Sequence, residues 1–175
     1  NYVSDRCKEN RIIERKRIRV GFISITFMSM LSSVFRDRSN IIKFMSSSKF
    51  EKILIVQKKI CSNIKSKQVI DVIEGVHNMV DKVVELPNIL ENSKDFMKTV
   101  ADLELDVLVY CDIGMATESV IMAHARLAPV QINTWGHSIT SGISTLDYYI
   151  SSKLYEVDDL DVAQTHYSEK LIALD

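Results

Sequence analysis

Chemistry in this chain concentrates between Arg126 and Tyr149, RLAPVQINTWGHSITSGISTLDYY. That stretch holds one of the two prolines, the single tryptophan and two of the five glycines. It reads as a buried strand over Pro129–Asn133, a small-residue loop over Thr134–Ser144, and a new strand from Asp147. A polar Gly/Ser/Thr loop leaving a strand end is where open α/β sheets hold their ligands. The loop adds an aromatic side chain, Trp135, and a titratable one, His137. Gly136, Thr140, Ser141 and Gly142 supply close backbone approach and hydroxyls around them. A second turn with chemical content is CDIGM, where Asp112 and Gly114 end another apolar run; capping of the following helix is their other use. A third is the loop Thr26–Ser33 after the first apolar run.

Several other chemistries lack their residues. Cys7, Cys61 and Cys111 are widely spaced and form no CxxC pair; the four histidines show no HxxxH spacing. We therefore expect reduced thiols, a cytoplasmic setting and no metal site. No GxGxxG follows the first apolar run, so a dinucleotide site lacks its turn glycines, and GxxxxGK[ST] and GxSxG are absent too. A net charge of −1 offers no general footprint for nucleic acid. Basic Arg11–Arg19 before uncharged Val20–Phe35 imitates an export signal. That stretch is shorter than a membrane helix, is broken by five Ser/Thr residues and lacks a small-x-small cleavage site, so no membrane partner is expected. The chain opens on Asn, from which we expect a true start upstream.

The elements that must position these loops alternate regularly. Strands are expected at Ile18–Ile25 (IRVGFISI), Lys52–Gln57, Lys82–Leu86, Asp106–Tyr110, Val130–Asn133, Asp147–Ser151 and Lys170–Leu174. Between them the apolar spacing predicts helices over Ser29–Met45, Ser62–Val76 and Glu118–Arg126. Another helix is expected from Asn88 to about Leu103, with Asn88 and Glu91 forming a capping box. Strands separated by helices imply βαβ units, hence a Rossmann-like, doubly wound and mainly parallel α/β sheet. Its carboxyl edge would gather Thr26–Ser33, Asp112–Thr117 and Thr134–Ser144.

The blocks RIRVGFIS, LDVLVYCDIGM, RLAPVQINTWGHSITSG, LDYYISS and HYSEKLIALD together resemble, in order and spacing, the catalytic region of glycosyltransferase family 41. That family includes the O-GlcNAc transferases and the bacterial cytoplasmic N-glycosyltransferases. The resemblance covers roughly Arg17–Asp175 and is weak between Ser29 and Leu103. It implies the amino-terminal half of a GT-B fold over residues 17–175, whose carboxyl-terminal half would be the partner supplying most uridine diphosphate contacts. Residues 1–16 are then a flank, the tail of an upstream region. Nucleotide-sugar transfer to a protein or peptide acceptor is implied, with a UDP-linked donor, no metal and no other cofactor.

By the same resemblance, Trp135, Gly136 and His137 line the donor-sugar pocket, Thr140, Ser141 and Gly142 match a TSG turn, and Asp112 and Gly114 match a DIGM turn. Thr26 stands where some members carry Asp. The departure lies in the first loop. The family's histidine beside the transfer centre is replaced by Met30 or Ser32, leaving the catalytic residue unassigned and His137 a weak substitute. A thioether has no proton to exchange and an unassisted hydroxyl is a poor base. Three functions follow: a transferase fragment incompetent alone, a degenerate GT-B half that binds without catalysis, and, less favoured, a nucleotide-sugar epimerase or other GT-B enzyme.

Overall fold

The apolar run after Arg17 becomes the middle of a sheet. The computed structural model describes residues 2–25, 33–57, 75, 78–86, 91–135, 137 and 139–175. In chain order these form α1 (Asp5–Lys8), β1 (Ile18–Ile23), α2 (Ser33–Phe44), β2 (Phe50–Gln57) and β3 (Lys82–Leu86). Then follow α3 (Ser93–Ala101), β4 (Val107–Tyr110), α4 (Thr117–Ala123), β5 (Val130–Thr134), β6 (Tyr148–Ser152), α5 (Leu160–Gln164) and β7 (Lys170–Leu174). The seven strands lie in the order β3-β2-β1-β4-β5-β6-β7, and every pairing is parallel. Chain progression reverses between β1 and β4, so the switch point of this Rossmann-like sheet lies there.

Alternation along each strand divides the core in two. Ile23, Ile55, Leu108 and Tyr110 face Phe96, Val100 and Met122 of α3 and α4. Val20, Phe22, Leu54 and Val109 face Val34 and Ile42 of α2. Gly21 lets β1 pack closely on Leu105: a Cβ there would lie 2.5 Å from Leu105 Cδ1 and would force that side chain to shift. Lys52 is buried and donates from Nζ to the carbonyls of Ile42 and Met45 at 3.2 and 3.4 Å, satisfying acceptors at the end of α2.

Local boundaries depart from the sequence pattern for identifiable reasons. β1 stops at Ile23 rather than Ile25 because the Ile25 N–H donates to Asp112 instead of a strand. β2 starts at Phe50, two residues earlier than expected, where it pairs with Ile18. The cap of α3 is Asn92, not Asn88: its side chain accepts from the Asp95 N–H, repeating the expected Asn/acid spacing four residues downstream. Asn88 lies outside the described residues, as do Ser29–Ser32 and all of Ser62–Val76 except Gly75. α4 ends three residues early because Arg126 turns to the chain start, donating to the Tyr2 carbonyl and accepting from the Ser4 N–H, both at 2.9 Å. β5 gains Thr134, while β6 starts one residue late.

Two short helices were not expected: α1, capped by Ser4, and α5, capped by Asp159. Arg6 of α1 is buried and donates from Nη1 to the Glu104 and Leu105 carbonyls, both at 2.7 Å, and from Nη2 to Asp106 at 2.5 Å. No helix of the described residues is long and apolar enough to cross a membrane.

Candidate functional site

At the switch point, Asp112 binds three segments together. Its Oδ2 accepts from Ser24 Oγ at 3.0 Å and the Ile25 N–H at 2.7 Å, and its Oδ1 accepts from Ser119 Oγ in α4. Asp112 is fully buried. The carboxylate therefore joins the end of β1, the end of β4 and the first turn of the helix that follows, although the N-cap of α4 is Ala116.

Beyond Asp112 the turn takes a left-handed residue, Gly114 at φ 84°. A Cβ there would meet His137 Cγ at 3.0 Å, so the loops after β4 and β5 are in direct contact and only glycine fits without displacement. The Tyr149 hydroxyl donates to the His137 carbonyl at 2.7 Å and anchors this loop from β6. An open cleft of about 420 Å³ results, with Gly114, His124, His137, Thr140, Ser141 and Gly142 on its walls. His137 is exposed, and an imidazole is a side chain suited to general acid–base work.

The hydroxyls of the TSG turn are committed elsewhere. Glu169, nearly fully buried at the start of β7, accepts from Thr140 Oγ1 at 2.6 Å, from the Ser141 N–H at 3.0 Å and from Ser141 Oγ. Ser168 Oγ donates to the same carboxylate at 3.0 Å. Burial works to raise the Glu169 pKa, but these hydrogen bonds outweigh it and hold it below its ordinary value of 4.5. Gly142, at φ 67°, completes the turn.

Trp135 goes another way. It lines a separate cavity of about 270 Å³ with Val109, Ile132, Ile150 and Arg38 of α2. Of the residues expected at the carboxyl edge, the fold thus gathers Gly114, His137, Thr140, Ser141 and Gly142 around one cleft, with Asp112 beneath as a junction. Thr26, Met30, Ser32 and Gly136 lie outside the described residues. Sequence reasoning missed Glu169 and Arg38. Glu169 stands inside the HYSEKLIALD block, but its partners in the TSG turn, Thr140 and Ser141, are 29 and 28 residues away. Among the described residues no group of three His, Cys, Asp or Glu side chains could hold a metal ion.

No protein-family model matches the sequence, and no curated protein matches it. Among solved structures, a point mutant of the O-GlcNAc transferase from Thermobaculum terrenum superposes with a TM-score of 0.70 at 17% identity. The superposition covers 91% of this chain and 28% of that one. At that identity the likeness is one of fold: the two chains share the parallel, Rossmann-like sheet described above.

Proposed function

We propose that this chain is one Rossmann-like half of a nucleotide-sugar-dependent glycosyltransferase acting on protein side chains, with the cleft beside His137 as its sugar-facing surface. The observation that carries the reading is the contact of Gly114 with His137. It brings an imidazole to the mouth of a cleft at the carboxyl edge, the place where such sheets take ligands. The fold likeness to an O-GlcNAc transferase supports it. In this reading the donor is UDP-linked, the acceptor is a protein or peptide, and a second GT-B half supplies the nucleotide contacts. Neither metal nor other cofactor takes part, and the setting is cytoplasmic. With the first-loop histidine replaced, His137 and His124 are the imidazoles on the cleft walls; His137 is the proton acceptor in this reading, and transfer by these 175 residues alone is not expected.

A second reading, binding without catalysis, is favoured by the commitment of Thr140 and Ser141 to Glu169 and of Asp112 to Ser24 and Ile25. These polar groups hold loops rather than face a substrate. One set of assays separates the readings. Titration of the chain with UDP-N-acetylglucosamine, followed by NMR, is expected to show weak saturable binding that His137→Ala weakens, with no transfer to a peptide. In a protein joined to a second GT-B half, Ser32→His or Met30→His is expected to raise transfer by roughly 10²–10⁴-fold. No gain would leave the binding module. Robust transfer by the chain alone, insensitive to His137→Ala and Trp135→Ala, would mean that the site lies elsewhere.

A further inference from the structure

Beside the His137 cleft, apolar side chains gather around a second, exposed hollow. It measures about 340 Å³ and is lined by the loop after β5 and by the segments that follow β6 and precede β7. Ile139, Tyr155 and Val157 stand on its walls while 62%, 70% and 48% exposed. Single exposed apolar residues are ordinary, but three around one hollow leave hydrocarbon in water that a partner can cover. The wall bearing Tyr167 is held in place. Its hydroxyl donates to Glu156 Oε1 at 2.8 Å, Ser151 Oγ donates to the same oxygen at 2.5 Å, and the Tyr167 ring lies 4.5 Å from that of Tyr149. Both hydrogen bonds fall on Oε1, so Oε2 of Glu156 takes neither.

Charge selects the partner. Residues 154–169 carry five carboxylates, Glu156, Asp158, Asp159, Asp161 and Glu169, and no lysine or arginine, in a chain whose net charge is only −1. Glu169 is committed to Thr140 and Ser141, and Asp159 caps α5. Glu156 lines the hollow, and Asp158, exposed, follows Val157 directly. A surface of this sign repels nucleic acid and anionic lipid. Two copies joined by this same face would set like charge against like. A polypeptide of opposite sign fits instead. We propose that the hollow docks a basic peptide segment, with an aromatic or aliphatic side chain on Ile139, Tyr155 and Val157 and flanking Lys or Arg against Glu156 and Asp158. Docking does not rest on the transferase reading. Under that reading the segment belongs to the acceptor, because Ile139 and Thr140 line the His137 cleft as well.

The probe is a fluorescein-labelled peptide, Lys-Arg-Phe-Leu-Lys-Lys, titrated with the chain and read by anisotropy without any donor sugar, so that a failure of docking is distinct from a failure of transfer. Saturable binding is expected, weakened roughly threefold or more when salt rises from about 50 to about 200 mM. Replacing Phe and Leu of the probe by Ser should weaken it roughly tenfold or more. Tyr155→Ala and Asp158→Lys in the chain should each do the same. Both residues are exposed, so the fold should hold, which unchanged melting temperatures check; the probe substitutions keep the test decisive if a variant does not fold. Ile12→Ser, at a residue 88% exposed beside another hollow, should leave binding unchanged. Equal affinity for the Ser-containing probe would reduce the effect to attraction by acidic residues and overturn the proposal. So would equal binding of a probe with Glu in place of its Lys and Arg, indifference to both Tyr155→Ala and Asp158→Lys, or no saturable signal.

Discussion

Glu169 does by hydrogen bonding what a longer turn motif would otherwise have to do: it fixes the Thr140–Ser141 loop to the start of β7. Its carboxylate is charged, buried and served by several donors, so Glu169→Gln should cost about 1.5–3 kcal/mol at neutral pH. The sign with pH follows from its lowered pKa. A carboxyl held below 4.5 in the folded chain contributes stability that is full above 4.5 and is lost as pH falls through the folded value. Urea melts of the two proteins should therefore differ at pH 7 and converge below about pH 4.5; a constant gap would deny the charge-assisted role. Gly114 makes a conformational claim instead. At φ 84°, with His137 Cγ 3.0 Å from any Cβ, Gly114→Ala should cost about 1–2 kcal/mol and shift the His137 ring resonances. An alanine variant of unchanged stability would show that the turn relaxes freely.

Elements were legible where their cause is local. β1, β2 and β4 announce themselves as apolar runs rich in β-branched residues, and the buried strands follow that pattern. α4 is shorter than its apolar spacing predicts because its end is set by Tyr2 and Ser4, more than a hundred residues distant in sequence. α1 and α5, of four and five residues, are too short to show a helical period. The site divides in the same way. Asp112, Gly114 and His137 are visible because turn residues follow apolar runs. Arg38 is not, because the Thr134 hydroxyl it meets is 96 residues away. The cap of α3 offers a direct contest between sequence pattern and structure. Asn92 accepts from the Asp95 N–H at 3.2 Å, so Asn92→Ala should cost about 1 kcal/mol in a denaturant melt. A loss at Asn88→Ala and none at Asn92→Ala would return the cap to the place the sequence suggested.

For the molecule as a whole, the sheet is unevenly protected. β1 lies between β2 and β4, and layers of side chains cover both of its faces, as a parallel sheet requires. β7 is different. It pairs with β6 alone, it ends the sheet, and Ile172 and Leu174 remain 38% and 46% exposed. Glu169 and Gln164 tie only its start, the latter donating to the Glu169 carbonyl and accepting from the Leu171 N–H. Local opening costs least where few apolar contacts are lost and backbone bonds already meet water. Amides of Ile172–Leu174 are therefore expected to exchange roughly tenfold or more faster than those of Phe22, Leu54 and Val109. Native-state hydrogen exchange read by NMR checks this residue by residue. If the β7 amides were among the slowest, the exposed face of Ile172 and Leu174 would have to be covered in solution.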